Sequence, residues 1–284
     1  MAETEHKIRT RDGLAVYVRD IAPVAPLTGL PVLCLHGLTR NSKDFSLVAE
    51  RIAALGRRAI AMDVRGRGRS DWDPQPERYQ PPTYVQDAFE VLDALKVERA
   101  VWLGTSMGGL ITTVAALSAP QRVAGAILND IGPVVDPAGL ARIASYAGNS
   151  LNVRSWAEAA AAVKATQDVA FPNRDDAFWL DFAQRTFRQR ADTVLEPDYD
   201  PAIAKALGQG PAPDLWAMFD VFKTIPTLVI RGALSDILSR ETLAQMHQRN
   251  PNLESAEAPW CGHAPTLEEP CAFLPIVDFL AKAP

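Results

Sequence analysis

Ala100-Val-Trp-Leu-Gly-Thr-Ser-Met-Gly-Gly109, followed by the helical run 110–119, is the stretch that decides the fold. Residues 100–103 are apolar throughout, the pattern of a parallel strand buried on both faces. Gly104-Thr-Ser106-Met-Gly108-Gly109 then lies between that strand and the helix. A sharp strand-to-helix turn pushes a serine hydroxyl above the sheet. Its backbone closes on itself, so the flanking residues must be small, and Gly104 and Gly108 meet that need. The helix N-terminus also brings backbone N–H groups to where an oxyanion can use them. The competing reading is a tight turn in which glycine is merely structural. Gly-x-Ser-x-Gly is a weak signal alone, but in this strand–turn–helix setting Ser106 is a candidate nucleophile.

Working outward, strands and helices alternate. Residues 6–10 and 14–21 read as strands joined by the turn Arg11-Asp12-Gly13. Residues 31–35 form a wholly apolar strand, 46–55 a helix with one apolar side, and 58–62 another strand. Thr83 and Gln86 have the spacing of a capping box that opens the next helix. After the serine turn, 123–128 is again a buried strand. The alternation stops near Pro133. It resumes with a strand at 227–230, a helix at 239–249, a strand at 253–257 and a helix at 271–281. Between the two parts, 137–146, 155–167 and 176–188 read as helices, the second opened by a Ser155/Glu158 capping box. Pro133, Pro137, Pro197, Pro201, Pro211 and Pro213 punctuate their ends. The expectation is a mostly parallel sheet with helices on both faces, built from 1–133 and 216–284. Residues 134–215 form a helical insertion that leaves the sheet intact.

A serine hydroxyl needs a base. The chain has four histidines. His263, in Trp260-Cys-Gly-His-Ala-Pro265, follows the last strand and is the expected base. His6 lies in an exposed strand and His247 on a polar helix face. His36, after the first buried strand, is expected to brace its loop by hydrogen bonds. Asp236 follows strand 227–230 and is the expected acid that orients the imidazole. Asp130, at the end of strand 123–128, is its competitor. The backbone N–H groups of Leu38, after His36-Gly37, and of Met107 are expected to form an oxyanion hole. Asp63-Val-Arg-Gly-Arg-Gly-Arg-Ser70 lacks the GK[ST] end of a phosphate loop and reads as a structural loop after a strand.

The 284 residues carry 29 basic and 34 acidic side chains, net −5, with 48% hydrophobic residues. This balance argues against a general nucleic-acid binder, which needs a basic surface. No apolar run approaches the roughly 20 residues of a membrane span. Residues 1–10 have no apolar core of a signal peptide, so a cytoplasmic protein is expected. Cys34, Cys261 and Cys271 include no CxxC pair and suggest neither a disulfide framework nor a zinc site. Cys34 is expected in the core. Nothing marks Cys261, two residues before His263, as a nucleophile.

Taken together, His36-Gly37, Asp63-x-Arg-Gly-x-Gly-x-Ser70, Gly104-x-Ser106-x-Gly108-Gly109, Asp236 and Gly262-His263 make the sequence resemble the α/β-hydrolase superfamily along its whole length. The order Ser106, Asp236, His263 is the family's order. The resemblance implies an eight-stranded, mainly parallel sheet with a helical cap inserted after strand six. A serine nucleophile separates the chain from the dehalogenases and epoxide hydrolases that use aspartate there. Gly-x-Ser-Met-Gly-Gly with a simple cap resembles carboxylesterases and enol-lactonases, and cofactor-free haloperoxidases share the serine turn. The implied activity is hydrolysis of a small-molecule ester or lactone with neither metal nor organic cofactor. Hydrolases of aromatic ring-cleavage products, which break C–C bonds, share the triad, but many have Trp after the histidine where this chain has Ala264. A third reading, a ligand receptor on the same fold, is disfavoured by the complete set of catalytic residue types.

Overall fold

The computed structural model describes residues 2–24, 26–206 and 214–284; Pro211 and Pro213 lie outside them. β1 (Glu3–Arg9) and β2 (Ala15–Ile21) form the antiparallel hairpin expected around Arg11-Asp12-Gly13. β3 (Val32–Leu35), β4 (Ala59–Met62), β5 (Ala100–Thr105) and β6 (Val123–Asn129) follow. A separate small pair, β7 (Phe187–Gln189) and β8 (Leu195–Pro197), precedes β9 (Thr227–Gly232) and β10 (Glu254–Ala258). The large sheet has eight strands in the order β1-β2-β4-β3-β5-β6-β9-β10. Only the β1–β2 and β2–β4 pairings are antiparallel.

The helices are α1 (Ser46–Ala54), α2 (Pro81–Ala94), α3 (Met107–Ser118), α4 (Pro137–Tyr146), α5 (Trp156–Gln167), α6 (Asp176–Thr186), α7 (Leu215–Phe219), α8 (Arg240–Arg249) and α9 (Pro270–Lys282). Alternate strand residues point to opposite faces, so the sheet has two apolar layers. Leu33, Leu35 and Trp102 pack with α2, α3 and α8; Val32, Cys34, Val101 and Leu103 pack with α1 and α9. Both faces are therefore covered, which is why β3 and β5 are apolar runs without polar alternation. Among the described residues no helix is long and apolar enough to cross a membrane.

Among the described residues, the segment between β6 and β9 adds no strand to this sheet. It has its own apolar cluster, built on Val163, Phe171, Trp179, Phe187 and Leu195. Two boundaries depart from expectation. α2 begins at Pro81, two residues before Thr83, because proline suits the first helical turn, where its missing N–H has no partner to lose. α6 ends at Thr186, and Phe187 enters the β7–β8 hairpin with its ring buried. The Ser155 cap is present, its hydroxyl accepting from Glu158 N–H at 3.2 Å.

The Asp63–Ser70 loop is structural, as expected, and it is the most heavily charged buried part of the molecule. Arg65 donates to Asp73 at 2.6 Å and to both oxygens of Asp87 at 2.6 and 2.5 Å. Burial pushes the Asp87 carboxyl up, against the pull of Arg65. Removing one member of such a cluster leaves uncompensated buried charge. Arg65→Met is therefore expected to lose about 3–5 kcal/mol of unfolding free energy, read as a lower urea midpoint. A change below about 1 kcal/mol would contradict the assignment.

Candidate active site

Ser106 occupies a backbone conformation that side chains rarely adopt, φ 51° and ψ −112°, between β5 and α3. The turn closes so tightly that a Cβ on Gly104 would lie 2.2 Å from the Gly108 carbonyl carbon. One on Gly108 would lie 2.1 Å from the Leu35 oxygen. No other residue fits at either position. The strain at Ser106 presents its hydroxyl at the end of the sheet. Met107 is the first residue of α3, so its N–H has no helical acceptor four residues back.

His263 Nε2 lies 2.8 Å from Ser106 Oγ, and its Nδ1 lies 2.8 Å from Asp130 Oδ2. A carboxylate only accepts, so the ring proton belongs on Nδ1, and Nε2 is left to accept the serine hydroxyl. Asp130 is wholly buried. Its Oδ1 accepts from Gly232 N–H at 2.8 Å, and its Oδ2 also accepts from Ser235 Oγ at 2.6 Å. Ser235 Oγ in turn accepts from the N–H groups of Ile237 and Leu238.

The expectation for Asp236 is corrected by this geometry. Asp236 is not hydrogen-bonded to His263, whose Nδ1 is taken by Asp130; it accepts from Arg142 of α4 at 2.5 and 2.8 Å. Strand register supplies the reason. Thr105 pairs with Asn129, and Asn129 with Ile230, so β5 and β6 end level while β9 runs two residues further, to Gly232. Ser106 and Asp130 are each the first residue past adjacent strand ends. Asp236 lies six residues beyond Ile230, on a loop that has turned toward α4. Burial works to raise the Asp236 carboxyl, and the Arg142 guanidinium outweighs it, leaving it below the usual range. Gly139 seats α4 against this loop: a Cβ there would meet the Asp236 carbonyl oxygen at 2.1 Å.

Gly37 and Leu38 stand beside the serine, lining the same cavity as Ser106 and His263. Their loop is pinned from below. His36 donates from Nδ1 to the Gly37 oxygen at 2.7 Å and accepts Val64 N–H at Nε2, 3.0 Å. Arg67, also fully buried, donates to the Leu38 oxygen at 2.9 Å and to Tyr84 Oη at 2.9 Å. Arg67 and Ser235 are supporting residues that motif reading misses. Nothing in their local sequence separates them from ordinary loop residues. Burial pushes the Cys261 thiol up to about 12, which keeps it protonated and inert.

The cavity above the serine has a volume of about 610 Å³. From the inserted segment Ile143, Tyr146, Val163, Phe171, Phe182 and Phe187 line it. Of the aromatics in that segment, Trp156, Phe178 and Trp179 belong instead to its own packing. Arg40 reaches the cavity wall, but its guanidinium is held by Asp44 and lies 4.1 Å over the Phe182 ring.

Residues 31–270 match the alpha/beta hydrolase fold family. A 3-hydroxybutyrate-oligomer hydrolase of Cupriavidus necator is 35% identical over 271 residues, 89% of this chain and 88% of its own. The crystal structure of an alpha/beta hydrolase from Novosphingobium aromaticivorans superimposes with a TM-score of 0.91 at 40% identity, covering 99% of each chain. A putative hydrolase from Rickettsia typhi gives 0.85 at 28% identity, again over 99% of each chain.

His36 carries a prediction about pH. Burial lowers its pKa from 6.5 to about 3, so the folded protein holds it neutral. As pH falls below 6.5 the unfolded chain takes up a proton that the folded chain does not. Its contribution to stability is thus complete above that value and declines toward pH 3, with a slope approaching about 1.4 kcal/mol per pH unit. Urea midpoints measured near pH 7 and pH 5 are expected to fall less in His36→Gln than in the wild type. An equal fall in both would contradict the bracing role.

Proposed function

The chain belongs to the α/β-hydrolase fold family, and on that premise we propose that it is a serine hydrolase of carboxylic esters. The observation that carries the proposal is the unbroken hydrogen-bonded line Ser106–His263–Asp130 at the floor of the cavity. In this reading residues 134–215 are a cap that closes over the line and shapes the substrate pocket.

His263 Nε2 takes the Ser106 proton as Oγ attacks the acyl carbon. Asp130 fixes the tautomer and stabilises the imidazolium that forms. The N–H groups of Leu38 and Met107 hold the tetrahedral oxyanion, and because both are backbone groups they need no reorganisation as charge develops. His263 then protonates the leaving alcohol. Water, deprotonated by the same nitrogen, cleaves the acyl-enzyme and restores Ser106. These steps draw only on groups in the chain, substrate and water. The Cupriavidus relative supports the ester reading, since oligomers of 3-hydroxybutyrate are joined by ester bonds.

Ser106→Ala is expected to lower kcat on p-nitrophenyl butyrate by about four orders of magnitude or more. Asp130→Asn should cost about 10⁴, because the amide supports the wrong tautomer. Asp236→Asn should leave kcat within about tenfold and act mainly on KM, through the seating of α4. Wild-type kcat in Ser106→Ala would overturn the esterase reading. A loss in Asp236→Asn equal to that in Asp130→Asn would overturn the acid assignment.

A further inference from the structure

The active-site cavity has a neighbour. A second chamber of about 190 Å³ adjoins it, and Asn149, Ser150, Leu151, Pro197 and Tyr199 line both. The residues they share belong to the α4–α5 loop on one side and to the end of the β7–β8 hairpin on the other. Away from the shared residues the outer chamber is lined by Trp72, Asn152, Arg190, Glu196 and Pro201.

The two chambers differ in chemistry. The inner one presents Ile143, Val163, Phe171 and Phe182 around the serine. The outer one presents amide, hydroxyl and charged groups beside one aromatic face, Trp72, which is 40% exposed and lies 4.7 Å under the Arg188 guanidinium. Its charges are balanced. Arg190 lies 3.0 Å from Asp192 and 3.6 Å from Glu196, and Arg188 lies 2.7 Å from Glu196. Ser150 and Asn152 are exposed, and among the described residues neither side chain has a hydrogen-bond partner in the protein.

We propose that the outer chamber is a distal subsite for the far units of a linear oligoester of short hydroxy acids, whose reacting ester lies at Ser106. The inference rests on the esterase reading above and extends it to substrate length and polarity. A long fatty acyl chain would strip water from the exposed Ser150 hydroxyl and Asn152 amide without replacing its hydrogen bonds, which costs free energy. A polyanion would find no net positive charge, since Arg188 and Arg190 are already paired with Asp192 and Glu196. A chain that repeats an ester carbonyl at every unit offers acceptors to Ser150 and Asn152 while its short aliphatic links lie on Trp72. A cavity of the inner chamber's size already accommodates a small ester, so the outer chamber matters only to longer chains.

The test is kcat/KM of the full chain on p-nitrophenyl butyrate, on p-nitrophenyl palmitate, and on the linear dimer, trimer and tetramer of 3-hydroxybutyrate. Asn152→Trp fills the outer chamber without lining the inner one. The wild type is expected to gain about tenfold in kcat/KM from dimer to tetramer and to prefer the tetramer to the palmitate ester. Asn152→Trp should abolish that gain and keep butyrate-ester turnover within about twofold, which also reports that it is folded. Trp72→Ala, which removes the platform instead of filling the space, should flatten the same series. A flat wild-type series, a preference for palmitate, or an unchanged tetramer rate in both variants would overturn the subsite while butyrate turnover left the esterase reading standing. Absence of turnover on every ester would overturn both.

Discussion

One contact, His263 Nδ1 to Asp130 Oδ2 at 2.8 Å, orders the rest of the site. It fixes which imidazole nitrogen faces Ser106, and it does so from the end of β6, the strand beside the one that carries the serine. The groups on either side of the ring are held in place. Asp130 is held by Gly232 and Ser235 from the β9 side, and Ser106 by the glycine-lined turn into α3. Three neighbouring strand ends therefore converge on one buried ring. The parallel sheet, apolar on both faces, is the rigid element that holds these ends in place.

A second constraint comes from buried charge. The loop bearing Gly37 and Leu38 rests on the core through Leu38 and is also held by polar groups that folding has removed from water. His36 and Arg67 grip it directly, while Asp63 accepts from Ser42 N–H at 2.6 Å and Arg69 N–H at 2.8 Å to tie the adjoining turns together. Buried polar groups are costly unless each is satisfied, and here they are satisfied by one another. The same groups position the loop that faces the serine, so stability and site geometry share one network. Asp236 plays a different part. With Arg142 it seats α4, whose next turn supplies Ile143 and Tyr146 to the cavity.

Much of this is legible in the amino-acid sequence. Gly104 and Gly108 around Ser106 can be read because a steric requirement leaves a residue-level mark. His263 can be read because only one of four histidines follows the last strand. The break in alternation after β6 locates the inserted segment. The carboxylate bonded to His263 is misread because chain order and proximity to a strand end apply equally to Asp130 and Asp236. What separates them is register: Asp130 is the first residue past β6, and the loop of Asp236 has already turned away. The β7–β8 hairpin is hidden because three-residue strands carry no period, and Arg67 because its partner is a backbone oxygen that no side-chain pattern records.

Whether the carboxylate on the imidazole is Asp130 is read most directly by proton NMR of the His263 Nδ1–H. A strongly downfield, exchange-protected proton resonance is expected, surviving in Asp236→Asn and disappearing in Asp130→Asn. A resonance that survives in Asp130→Asn and disappears in Asp236→Asn would contradict the assignment.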